Sequence, residues 1–185
     1  MKKKVIYSII IVSVIIILSV AVTYAVYTFS GSVNISGTSE CFDVNYVKGQ
    51  DIGSDSNPAN FVLANNYTQG LSSVIKVNLK DTCTITNGTG TLYLNTDTSV
   101  TSSTILSGKV LKYQVLDGTT PVGSGVVSSA ENIEIYKDIP ITTTVKTITV
   151  YIWLDGNLVT EQNQNEILSS VYKGHISMDI KSGDK

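Results

Sequence analysis

The amino-acid sequence predicts an all-β fold: an antiparallel β-sandwich of the jelly-roll or immunoglobulin-like Greek-key kind, preceded by one N-terminal hydrophobic helix. Three observations predict it. After residue 25, Thr, Ser, Val, Ile, Asn, Tyr and Gly dominate the chain and Arg is absent, which fits pleated strands better than helices. Apolar and polar residues alternate with a period of two in about nine short segments. Turn residues separate these segments, and no long amphipathic helix pattern occurs among them.

The N-terminal segment has the pattern of an export signal. Lys2, Lys3 and Lys4 precede residues 5–26, which are almost wholly apolar and carry no charge. As a helix, residues 5–26 would span about 33 Å, enough to cross the hydrocarbon core of a bilayer. Lysines ahead of such a segment stay in the cytoplasm, so we expect the rest of the chain to be extracellular or at the cell surface.

The sequence leaves two fates open for residues 1–25, a cleaved signal peptide or a membrane anchor. The apolar run is longer than the core of most signal peptides, which favours an anchor. However, the small residues Thr23 and Ala25 occupy the −3 and −1 positions of a peptidase site, so we expect cleavage between Ala25 and Val26. Residues 26–185 then form one extracellular domain. Without cleavage, residues 5–26 hold that domain at the membrane.

Three segments show the strand pattern most clearly. Residues 75–80 alternate between aliphatic side chains and Lys or Asn, which predicts one buried and one solvated face. Residues 147–154 are bulky on both faces, which predicts a central strand that is covered on both sides or meets a partner. Residues 175–180 alternate again and predict a final strand. Between them, Asp117-Gly118 is a strong signal for a tight hairpin turn.

The charge balance argues against nucleic acid as a partner. The whole chain has 13 Lys and 15 acidic residues, and setting aside the three leading lysines leaves a net charge of −5 for the exported part. Binding to nucleic acid depends on clustered cations that neutralise phosphates. A mildly acidic domain without Arg lacks that requirement, and its surplus negative charge instead favours solubility.

The residue types that carry most enzyme chemistry are scarce, so we expect no enzyme activity. His175 is the single histidine, and neither a nucleophile motif nor an HExxH zinc motif accompanies it. A surface histidine is the simpler interpretation. Asp51, Asp55 and Asn57 could bind calcium, but their spacing does not match an EF-hand loop, and an acidic turn explains them as well. We therefore expect no cofactor and no metal ion.

Cys41 and Cys83 are the only cysteines. An oxidising exterior permits a disulfide between them, and their even number is consistent with one. Against the bond, Cys41 falls on the polar parity of its predicted strand, whereas Cys83 falls on the apolar parity of its own. A disulfide and two unpaired thiols therefore both remain open, while a metal site is disfavoured because histidine partners are lacking.

Both ends of the chain carry motifs of a known family. The motifs are T-Y-A-V-Y-T-F-S at residues 23–30, V-Y-I-W-L-D-G-N at residues 150–157 and G-H-I-S at residues 174–177. Together they resemble the TasA/camelysin family of Gram-positive surface and biofilm-matrix proteins, although the middle of the chain does not align. Gly31 departs from the pattern, since the family often has an acidic residue there. The resemblance implies a jelly roll, cleavage by a dedicated signal peptidase and assembly into surface fibres.

In such fibres the freed N-terminal strand of one subunit pairs into the sheet of its neighbour, and residues 26–35 match that strand here. Their sequence fits the role, because Tyr27, Phe29, Val33 and Ile35 share one parity and could fill a hydrophobic groove while the backbone supplies hydrogen bonds. The simpler alternative is that this strand pairs within its own domain. The sequence does not decide between the two.

These observations lead to two functional hypotheses. The first is a non-catalytic exported protein of the cell surface or matrix that associates with itself or with other surface proteins, forming fibres by strand donation. The second is a membrane-anchored adhesin or ligand-binding sandwich, in which Tyr151 and Trp153 could offer an aromatic platform for sugars. A start at Val26 in the exported protein favours the first hypothesis, and an intact Met1 favours the second.

Overall fold

The computed structural model describes residues 26–36, 41–48, 59–60, 63–129, 132–168 and 170–183, with the backbone alone for residues 26–36, 46–48, 59–60 and 168. This part of the chain consists mainly of strands, which confirms the predicted all-β class. The predicted N-terminal helix lies outside the described residues.

Eleven strands and two short α-helices occur in the described part of the chain. The strands are β1 (Val26–Ser36), β2 (Phe42–Lys48), β3 (Ala59–Asn60), β4 (Leu63–Ala64), β5 (Leu71–Leu79), β6 (Gly88–Thr96), β7 (Leu111–Asp117), β8 (Thr120–Val126), β9 (Ile133–Ile141), β10 (Lys146–Asp155) and β11 (Val171–Ser182). The helices are α1 (Ser103–Ser107) and α2 (Gln164–Leu168), and 3₁₀ turns cover Tyr67–Gln69 and Gly156–Leu158.

The strands form two sheets that pack face to face. The first sheet has the order β3-β1-β11-β6-β9, and the second has the order β2-β5-β10-β7-β8, with β4 attached to the end of β10. Most neighbouring strands are antiparallel, as predicted for a sandwich. The exceptions are the pairs β1–β11 and β4–β10, which are parallel.

The strand pairs are nested within one another along the chain. β7 pairs with β8, β6 with β9, β5 with β10, and β1 with β11. This is the pattern of one long hairpin that has been wrapped into a sandwich, with its tip at the predicted Asp117-Gly118 turn. Gly118 has a φ of 60°, a conformation that glycine adopts at little cost. The outermost pair breaks the pattern, because a hairpin requires antiparallel strands and β1 runs parallel to β11.

One hydrophobic core fills the space between the sheets. Ile75, Val77 and Leu79 of β5 are buried while Lys76 is exposed, which confirms the predicted inside and outside faces. In β11, Ile176, Met178 and Ile180 are fully buried, again as predicted. Removing each such side chain from water stabilises the fold by about 1.5 to 3 kcal/mol.

β10 lies in the middle of the second sheet, with β5 on one side and β7 on the other. Ile148, Val150 and Ile152 point into the core. On the opposite face Tyr151 is half-buried, and Trp153 is only 9% exposed. The predicted central strand with two bulky faces is therefore confirmed.

Candidate assembly edge

β1 lies near the margin of the first sheet and is held mainly by one neighbour. All eleven of its residues pair with β11, from Val26 opposite Val171 to Ser36 opposite Lys181. On its other side β3 pairs with Val26 and Tyr27 only. Within the described part of the chain, the outer edge of β1 beyond Tyr27 therefore has no strand partner. An edge of this kind exposes backbone donors and acceptors that can pair with another strand.

The register of β1 relates the four residues predicted for strand donation to the core-facing positions of β11. In the pairing with β11, Tyr27, Phe29, Val33 and Ile35 stand opposite Tyr172, Gly174, Met178 and Ile180, all of which are buried. The residues between them stand opposite positions that are mostly half-exposed, such as Lys173 and His175. In the single chain, β1 thus pairs within its own domain.

β11 packs closely against its neighbouring strand β6. The Tyr172 side chain is fully buried, with its hydroxyl 3.3 Å from Thr96 Oγ1, and burial raises the pKa of Tyr172 to about 12. A Cβ atom at Gly174 would clash with that hydroxyl and would lie 2.8 Å from the backbone oxygen of Asn95. Glycine at position 174 therefore lets β11 and β6 approach each other around a buried tyrosine. Composition marks Tyr only as a residue type that fits strands, and no sequence motif points to this role of Tyr172.

A disulfide between Cys41 and Cys83 lies at the start of β2, with the two Cα atoms 5.6 Å apart. Of the two alternatives that the sequence left open, the structure contains the bonded pair. The parity objection does not apply, because Cys41 precedes β2 and Cys83 lies in the turn after β5, so neither residue is in a strand. The backbone amide of Lys80 also donates to the carbonyl oxygen of Cys41 over 2.9 Å.

The opposite side of the sandwich, where β8 and β9 form the sheet margins, is protected against strand addition. β9 contains Pro140, which lacks a backbone donor, and Asp138, whose φ of 54° distorts the strand. Both β8 and β9 have register shifts against their partners. A Cβ atom at Gly123 would clash with the backbone oxygen of Ile135, so β8 and β9 close tightly on each other. Natural sheets use such features to block edge pairing.

A polar cluster ties the two sheets together at the hairpin tip. Lys146 Nζ and Tyr136 Oη donate to Asp117 Oδ2 over 2.7 and 2.8 Å. Burial and the hydrogen bond to the Asp117 carboxylate raise the pKa of Tyr136 to about 12. Tyr136 belongs to the first sheet and the other two residues to the second, so the cluster is a structural clamp. No signal in the sequence pointed to it, because its members are far apart along the chain.

The aromatic residues considered for sugar binding pack mainly on each other. The ring centroids of Tyr67 and Tyr151 are 5.1 Å apart in an edge-on arrangement, and the ring of Trp153 lies 6.5 Å from that of Tyr67. Trp153 offers little surface to a ligand, since it is 9% exposed. Beside it, a hydrogen bond from Lys112 lowers the pKa of Asp155. The cluster therefore resembles a small second core on the outer face of β10.

The remaining candidate residues are not assembled into a reactive site in the described part of the chain. His175 is half-buried on the outer face of β11, near the ion pair of Lys173 with Asp97, whose nitrogen and oxygen are 3.8 Å apart. No group of three His, Cys, Asp or Glu side chains that could hold a metal ion occurs among the described residues. Asp51, Asp55, Asn57 and Ala25 lie outside them, and Val26 is the first residue of β1.

None of the helices described is long and apolar enough to cross a membrane. Comparison with known proteins gives no family model that matches this chain, and no curated protein or solved structure that is similar to it. The function therefore has to be inferred from the sequence and from the geometry around β1 and β11.

Proposed function

We propose that this protein is a non-catalytic structural protein of the bacterial cell surface or matrix, and that its copies assemble by donating β1 to the sheet of a neighbour. One observation carries the proposal. β1 pairs with β11 over all eleven of its residues, yet within the described part of the chain it has a second neighbour for only two of them, and it breaks the antiparallel nesting of the other strands. Within the described residues, β1 is therefore held along most of its length by backbone pairing on one side only.

The pairing between β1 and β11 is also easy to replace in physical terms. Val26 and Val171 are far apart in sequence, so no short turn holds the two strands together. A β1 strand from a second copy could form the same backbone hydrogen bonds and present the same residues to β11. Exchange of an identical element between copies therefore loses few contacts and requires only that the connecting segment opens.

The sequence supports the same proposal from three directions. The leader delivers the domain to the cell exterior, and cleavage after Ala25 would make Val26, the first residue of β1, the new N-terminus. The motifs at the chain ends resemble the TasA/camelysin family, in which strand donation builds fibres. We also propose the jelly-roll variant of the sandwich over the immunoglobulin-like one, because the nested strand pairs are those of a wrapped hairpin.

A covalent lock on β1 tests the proposal. Ser30 and His175 are Cα partners in the β1–β11 register, so the double variant S30C/H175C can join the two strands within one molecule. We expect the locked full-length chain, exported with its own leader, to remain monomeric where the wild type forms long assemblies. Light scattering and electron microscopy of the released protein measure this, and mass spectrometry confirms the bond.

The variant S30A/H175A is the matched control, since it changes the same residues without a bond and should assemble like the wild type. Assembly of the locked chain at the wild-type rate would contradict strand donation. N-terminal sequencing of the exported protein adds a second measurement. A start at Val26 agrees with the proposal, whereas an intact Met1 together with a persistent monomer favours the anchored binding module.

A further inference from the structure

We infer that the Cys41–Cys83 disulfide determines where strand exchange stops. With the bond intact, β1 passes to a second copy while β2 stays in its own domain, and breaking the bond allows the exchanged segment to extend through β2. This inference rests on the proposed function and adds to it the length of the donated segment and its dependence on redox state.

Strand exchange that begins at β1 could continue into β2, because of where β2 lies. β2 is the marginal strand of the second sheet and, in the described part of the chain, pairs only with β5. β1 and β2 are consecutive along the chain and lie on the side of the sandwich opposite to β8 and β9. If the chain detaches from the domain starting at β1, the next strand along the chain is therefore β2, which also has one described neighbour.

The disulfide lies at the start of β2, which detachment of the chain from β1 onward would reach first. Cys41 comes immediately before Phe42, the first residue of β2, and its partner Cys83 lies in the turn between β5 and β6. The bond thus fixes the leading end of β2 to the body of the domain and leaves residues 26–36 on the free side. Its position separates an exchangeable strand from a retained one.

The retained strand is also the one that the core needs. Phe42 is 4% exposed, and a Cβ atom at Gly88 would lie 2.8 Å from one of its ring carbons. Residue 88 must therefore be small for the ring to fit against β6. Loss of β2 would remove this ring from the core and expose the edge of β5, whereas loss of β1 exposes only a groove that another β1 can fill.

A small dithiol is the reagent suited to this bond. Cys41 and Cys83 are both partly exposed and pack against the hydrophobic core. Reduction breaks the S–S bond, adds two electrons and two protons to give two thiols, and converts the dithiol into its own disulfide. Secreted proteins keep such bonds in oxidising surroundings, so we expect the oxidised form, which donates β1 alone, to be the one present at the cell surface.

Hydrogen exchange measured by mass spectrometry on the exported monomer tests the inference. With the disulfide intact, we expect amides in β1 to exchange at least about 10-fold faster than amides in β2, because β1 opens alone. In the variant C41S/C83S, or after treatment with a dithiol, we expect β2 to approach the exchange rate of β1. Amides of the central strand β10 serve as the internal control and should remain protected in both forms.

Equal exchange rates for β1 and β2 while the disulfide is intact would overturn the inference, and so would unchanged protection of β2 after its removal. Loss of protection in β10 would show that C41S/C83S unfolds as a whole. In that event, dithiol titration to partial reduction gives the comparison within a folded population. The assay does not depend on assembly, so a negative result here is distinct from failure of the S30C/H175C lock to block assembly.

Discussion

At the residue scale, Gly174 is the position where a small change should matter most. A side chain there meets the backbone oxygen of Asn95 and the hydroxyl of Tyr172. We expect Gly174→Ala to lower the free energy of unfolding by about 2 kcal/mol, because overpacking forces the strands apart. Denaturant unfolding of the exported protein measures this. The neighbouring variant H175A should change stability by less than about 0.5 kcal/mol, and an equal loss in both variants would contradict the packing explanation.

Asp155 provides a prediction about pH. A hydrogen bond from Lys112 and two from Asn157 lower the pKa of Asp155 below its ordinary value of 3.8. The carboxyl group of Asp155 is therefore more acidic in the folded protein than in the unfolded chain. The resulting stability is present above about pH 4 and is lost as the pH falls through the lowered pKa of the folded state.

We expect Asp155→Asn to cost about 1 kcal/mol at neutral pH and progressively less as the pH falls below about 4, so that the stability curves of variant and wild type converge in acid. Unfolding followed across that pH range measures the convergence. Glu161 is an exposed carboxylate, and E161Q is the control. Its curve of stability against pH should run parallel to that of the wild type. A constant gap between D155N and the wild type would argue against the charge as the cause.

At the scale of elements, the disulfide also acts on the unfolded chain. Its two cysteines are 42 positions apart, and cross-linking a loop of that length restricts the unfolded ensemble. In the chain-entropy model this stabilises the fold by about 4 kcal/mol. We expect C41S/C83S to lose most of that amount in denaturant unfolding. The wild type in excess dithiol should show the same loss, and a wild type that is insensitive to dithiol would contradict the estimate.

The sequence predicted individual strands better than their arrangement. Period-two alternation identified the buried faces of β5 and β11, because burial on one face is a local property of the sequence. It did not predict that β1 runs parallel to β11, since alternation looks the same in both directions of a strand. Parity also raised an objection to the disulfide that does not apply, because it was extended past the ends of β2 and β5 into turns where it has no meaning.

At the scale of the whole molecule, the candidate site could be predicted only in part. Tyr27, Phe29, Val33 and Ile35 were singled out by parity, and the register sets them opposite the buried positions of β11. The clamp of Asp117, Tyr136 and Lys146 and the protected margin at β8 and β9 left no local signal, because they depend on contacts between distant segments. Such contacts are set by the nesting of strands, which no short motif encodes.

The two margins of the sandwich differ, and this difference restricts how copies could add to one another. At one margin, Pro140, the distorted backbone at Asp138 and close backbone contact block the addition of a strand. The other margin carries β1, the strand that would be donated, and the edge of β11 that would accept it. If each molecule gives β1 to one copy and receives it from a different copy, growth is linear and polar, whereas reciprocal exchange between two copies closes a dimer. A molecule without residues 26–36 would then receive but never give, and a small proportion of such molecules would act as terminators that shorten every polymer.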